Sequence, residues 1–207
     1  MRCTPEQKNP RPLYCLIFTL WIVGVALYAA PDAASAAGIR LPVLPFELFA
    51  VAAVIAGVFL LIRFGMTHFV YAVRLRNDDS PADLEAVPAG MTDLSRCRPE
   101  FLDFTVTRSQ GARAGALECV LGLDSLVSAA PVKLRGKSSL PPVKELWKRC
   151  RNETPGFVFY DYTVTFRLEK ALALVFLDGN RRVGVLIEAD EEMAQYLAET
   201  ASKNGIH

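Results

Sequence analysis

Histidine is the side chain most often used for proton transfer near neutral pH, and this 207-residue chain has only His68 and His207. His68 lies where a long apolar run ends, and His207 is the last residue. No nucleophile elbow accompanies either one, and the HExxH, P-loop and GxGxxG patterns are absent from the sequence. Adjacent acids occur at Asp78-Asp79, inside loop-forming composition, and at Glu191-Glu192, where the positive end of a predicted helix accounts for them. The five cysteines (Cys3, Cys15, Cys97, Cys119 and Cys150) form no CxxC and have no histidine at metal-ligand spacing. The sequence therefore predicts no enzyme, no catalytic or metal-binding residue and no cofactor.

A run of cations is the most distinctive polar feature. Lys133, Arg135, Lys137, Lys144, Lys148, Arg149 and Arg151 have Glu145 as the one acid among them. Near an anionic inner leaflet each such residue contributes about 1 kcal/mol before screening, so the run is the candidate binding site for lipid headgroups or a protein partner. A solvated loop and helix face is the competing account. Trp147 within the run is either an interfacial anchor or a core plug, and its spacing with Val143, Leu146 and Cys150 favours the core. The formal net charge of +1 argues against a general nucleic-acid binder.

The elements that must carry this run begin with two apolar stretches. Leu13 to Ala30 contains no charge, and Leu48 to Ile62 is extended outward by Leu41, Val43, Leu44, Pro45 and Phe46. A hydrocarbon core of ~30 Å needs about 20 apolar helical residues, which both stretches approach. Arg2, Lys8 and Arg11 precede the first, and Arg63, Arg74 and Arg76 follow the second, so the positive-inside bias puts both ends in the cytoplasm. Residues 1–66 are expected to form a transmembrane hairpin with spans at about 13–30 and 44–64. In the competing account Ala34-Ser35-Ala36-Ala37 ends a cleaved secretory leader, and the domain beyond Arg63 stays cytoplasmic either way. Ala53 and Gly57 form a small-xxx-small pair suited to Gly24 or to a second copy.

Beyond Ile62 the apolar period becomes two. Alternation predicts strands from Phe69, Leu102, Leu117 and Val158 to Leu168, with a short piece at Leu126-Val127. A final hairpin, Ala171 to Leu177 and Arg182 to Ile187, turns at Asp178-Gly179-Asn180. Residues 77 to 100 read as a long connection, and Pro142 to Cys150 as a short helix. Asp190 is placed to cap a helix over 190–203 on which Met193, Tyr196, Leu197 and Ala201 share a face.

About seven strands and a C-terminal helix resemble the pleckstrin-homology-like superfold. Phe101 to Arg108, Leu117 to Leu126 and the ending from Leu172 to Leu197 look like uncharacterised bacterial two-span membrane proteins with a PH-like domain. The insertion from Ala129 to Gly156 departs from that pattern. The resemblance implies an α+β membrane protein of the cell membrane: two transmembrane helices, then a cytoplasmic antiparallel partial barrel over 67–207 closed by the last helix. Its expected role is non-catalytic binding or scaffolding, with the lipid bilayer and anionic headgroups or a membrane protein as partners. An accessory subunit of a larger membrane complex, with the spans as interface, is the alternative.

Overall fold

The computed structural model describes residues 1–5, 10–76, 98–110, 115–136 and 138–204, in two compact units, Gln7–Thr67 and Met1–Glu6 with His68–His207. Residues 111–114 and most of the connection over 77–100 fall outside the described residues, as do Lys137 and Cys97.

The smaller unit is a pair of helices, α1 (Arg11–Ala36) and α2 (Val43–Leu60), the latter continued by a π-helical turn over Leu61–Met66. Both are long and apolar enough to cross a membrane. Each is apolar on nearly every side, and helical bonding satisfies the backbone within the segment itself. Gly38 takes φ +80 past the end of α1, where its N–H donates to Ser35 O and that of Ile39 to Ala34 O, the Schellman arrangement. The helices approach closely where side chains are small. A methyl group on Gly24 would stand 3.1 Å from Val54 and 3.2 Å from the Ala50 carbonyl, and one on Gly57 would stand 2.5 Å from Trp21 Nε1. The small residues of α2 are thus occupied by α1.

The larger unit contains two four-stranded sheets. In the first the order is β1 (Arg2–Cys3), β2 (Thr67–Leu75), β3 (Leu102–Gln110) and β4 (Ala116–Gly122). In the second, β5 (Leu126–Lys133), β7 (Lys170–Asp178) and β8 (Arg181–Ile187) run antiparallel, and β6 (Val158–Asp161) joins β8 in parallel. Gly179 supplies the positive φ of the β7–β8 turn. A principal core forms between the sheets from Tyr71, Phe104, Leu126, Leu174, Phe176 and Ile187, closed by Met193, Leu197 and Ala201 of α4 (Glu191–Asn204). Asp190 caps that helix, accepting from Met193 N–H at 2.8 Å. A second core lies under α3 (Val143–Glu153), where Trp147 and Cys150 cover Val132, Ala171, Ala173, Val175 and Leu186.

The α+β order, the antiparallel sheets and the C-terminal helix agree with the sequence reading, whereas three details differ. Alternation from Val158 to Leu168 implied one long antiparallel strand, yet pairing stops at Asp161 and is parallel. Residues 162–169 instead fold inward, burying Tyr162, Thr163, Val164 and Thr165. The piece at Leu126-Val127 is a full strand, so part of the supposed insertion from Ala129 is sheet. The N-terminal residues add β1, with Arg2 opposite Ala72 and Cys3 opposite Tyr71.

Candidate functional site

The basic run divides between the end of β5, the following loop and α3. Lys133 is half-buried, its ammonium donating to Ser138 O at 3.0 Å, and its N–H donates to Pro141 O at 2.8 Å. A bridge to Pro142 fixes the start of α3 beside it. Arg135, Lys144, Lys148, Arg149 and Arg151 are exposed.

Helical geometry sorts the residues of α3. Val143, Leu146, Trp147 and Cys150 face the sheet, as their spacing predicts, and Trp147 is 8% exposed, which makes it a core residue. Lys144, Lys148 and Arg151 follow one another at i+3 and i+4 along the flank that Trp147 begins. Arg149 falls on the other flank with Glu145 and Glu153, and Arg182 of β8 engages Glu153. Among the described residues Lys144, Lys148 and Arg151 make no ion pair. The structure therefore gathers these cations and parts Arg149 from them.

Aromatic side chains adjoin this flank. Phe159 of the edge strand β6 stacks on Trp147 with centroids 6.1 Å apart, and Phe157 lies 5.6 Å from it. Phe157 and Trp147 close over Gly184, where a methyl group would stand 2.8 Å from Phe157 and 2.9 Å from Trp147. Val158, Phe159 and Tyr160 all remain more than 40% exposed, unusual for consecutive strand residues.

A buried polar network holds the inward fold of 162–169. Glu188 Oε1 accepts from Val164 N–H at 2.5 Å and Thr165 N–H at 2.6 Å, while Oε2 accepts from the Thr165 hydroxyl at 2.5 Å. Asp161 accepts from the Thr163 N–H and hydroxyl at 2.9 and 2.7 Å, an Asx turn that ends β6. The Tyr71 hydroxyl donates to Tyr162 O at 2.7 Å. Arg167 emerges from this segment exposed, at φ 60, with its guanidinium 5.4 Å from the centroid of the Phe166 ring. The Asp-x-Thr spacing at 161–163 was the one signal in the sequence for this turn; nothing local marked Glu188 or Arg167.

Burial pushes the Cys3, Cys119 and Cys150 thiols up, away from the thiolate that nucleophilic or metal chemistry requires. Burial likewise raises the Tyr71 and Tyr162 phenols. Among the described residues no three His, Cys, Asp or Glu side chains converge to hold a metal ion. No family model matches the chain, and no curated protein or solved structure does so either.

Proposed function

We propose that the chain is a membrane-anchored, non-catalytic binding module. Its two apolar helices cross the cell membrane as a hairpin, and its PH-like β domain sits on the cytoplasmic side against anionic lipid headgroups. The observation that carries the headgroup contact is the exposed, uncompensated flank of Lys144, Lys148 and Arg151, bordered by the exposed ring of Phe159. Cations beside an exposed apolar ring suit an anionic interface, where the charges meet phosphates and the ring dips toward the acyl boundary.

The pairing of β1 with β2 supports the hairpin. Residues 2–3 precede α1 and residues 71–72 follow α2, so the two strands share one side of a bilayer only when the intervening chain crosses an even number of times. The positive-inside bias of Arg2, Arg11 and Arg63 favours the cytoplasm as that side. The alternative role, an accessory subunit docked through its helices, is weaker because Gly24 and Gly57 are already filled by the partner helix of the pair.

The test is amide hydrogen exchange of the full-length protein in nanodiscs of phosphatidylglycerol or phosphatidylcholine. Slower exchange between residues 133 and 153 in the anionic discs, reversed by salt, is expected. Equal exchange in the two lipids refutes the headgroup reading, and a stoichiometric membrane partner lost on Gly57→Leu would favour the subunit role.

A further inference from the structure

The larger unit has two distinguishable ends. At one, the Phe69 ring meets Tyr162 with centroids 5.3 Å apart, and Glu188 N–H donates to the Tyr71 hydroxyl at 3.4 Å. Tyr162 follows the last residue of β6 and Glu188 the last of β8, so these contacts join the start of β2 to one margin of the second sheet. Strand register assigns Lys133, the last residue of β5, and Lys170, the first of β7, to the same margin. At the opposite end Arg76 bridges Asp103 and Asp124, and the β7–β8 turn follows Asp178.

The chain runs from the apolar segment directly into the strand that starts at this margin. Phe69 is three residues beyond Met66, the last residue of the π-helical turn, and that length of extended chain reaches at most ~10 Å. We infer that this margin, rather than the length of α3, meets the anionic phospholipid surface, with Lys133, Arg135, Lys144, Arg167 and Lys170 as its contacts. The inference rests on the headgroup reading above, keeps Lys144 of its flank, adds Arg167 and Lys170, and moves the contact away from Lys148 and Arg151.

Three features favour this set. The bridge between Lys133 and Pro142 starts α3 at this margin, while the Glu153 to Arg182 ion pair ends it toward the opposite one. From Lys144 to Arg151 the helix rises about 10 Å, more than the ~8 Å Debye length at physiological salt, so an upright α3 leaves Arg151 largely screened. The segments bearing the other cations are tied together, since Leu134 and Arg135 N–H both donate to Glu169 O, at 2.9 and 3.3 Å. Arg167, finally, is held exposed in a left-handed backbone conformation that few non-glycine residues adopt. Asp161 at the end of β6 and the Asp190–Glu192 start of α4 also lie at this end, which leaves the β5, β7 and α3 side as the cationic part of the margin, with Glu169 as an acid within it.

Exchange in the same full-length nanodiscs tests the assignment through two charge-reversal sets, R135E/R167E/K170E and K148E/R151E. The expected result is several-fold slower exchange at 133–136 and 166–170 in phosphatidylglycerol, unchanged exchange at 178–182, and loss of the effect in the first set only. Arg167→Gly, which removes the charge while suiting the backbone, should weaken the effect with the β7 amides still protected. Loss of lipid dependence in the second set alone overturns the assignment and leaves the headgroup reading standing. Absence of lipid dependence in the parent protein overturns both.

Discussion

Glu188 is expected to govern the whole inward fold of 162–169, and its replacement is the sharpest test of that architecture. Its carboxylate accepts two backbone N–H groups, from Val164 and Thr165, whose residues are only 2% and 8% exposed. Glu188→Ala removes Oε1, the acceptor that both N–H groups share. A buried donor left unsatisfied costs about 1–3 kcal/mol, and since Glu188 is half-buried, water partly replaces it; the sum is about 2–4 kcal/mol. At ~1.4 kcal/mol per tenfold, the Val164 and Thr165 amides should exchange roughly 30-fold to several-hundred-fold faster. Glu188→Gln keeps a neutral acceptor and loses only charge assistance, about 1 kcal/mol or roughly fivefold. Amide exchange resolved to these residues is the assay, with the β7 amides as the reference for global stability. Unchanged exchange in Glu188→Ala, or equal effects of the two substitutions, would refute the account.

Two further outcomes follow from packing and burial. Gly57→Leu should drive its side chain into Trp21 and destabilise the helix pair by about 1–3 kcal/mol, seen as a lower melting temperature in detergent, whereas Ala56→Leu on the exposed side should not. For pH, the raised phenols of Tyr71 and Tyr162 favour the neutral form in the folded state, so their contribution is intact below the unfolded value near ~10 and is lost as pH climbs through the folded values. The β module should therefore lose stability above about pH 10, with tyrosinate absorbance lagging in the folded protein; full tyrosinate signal at an ordinary midpoint without unfolding would contradict this.

Much of the architecture was written in local pattern. The charge-free run of α1, the alternation of β3 and β4, the apolar runs of β7 and β8 about the Asp178-Gly179 turn, the Asp190 cap and the Trp147 stripe each depend on neighbours a few residues away, so periodicity and turn chemistry reveal them. The sequence likewise determined which residues are cationic and that Phe69 lies close behind an apolar helix. What only the tertiary structure decided involves partners far apart in the chain. Alternation at 158–168 cannot say whether a residue faces a sheet or a carboxylate, and Glu188, 23 residues from Thr165, binds backbone that the pattern would extend as strand. The addition of β1 to β2 joins residues about seventy positions apart. The pairing of Lys133 with Lys170 at one margin of the second sheet follows from strand register, which is set by long-range hydrogen bonds and packing that no local spacing encodes.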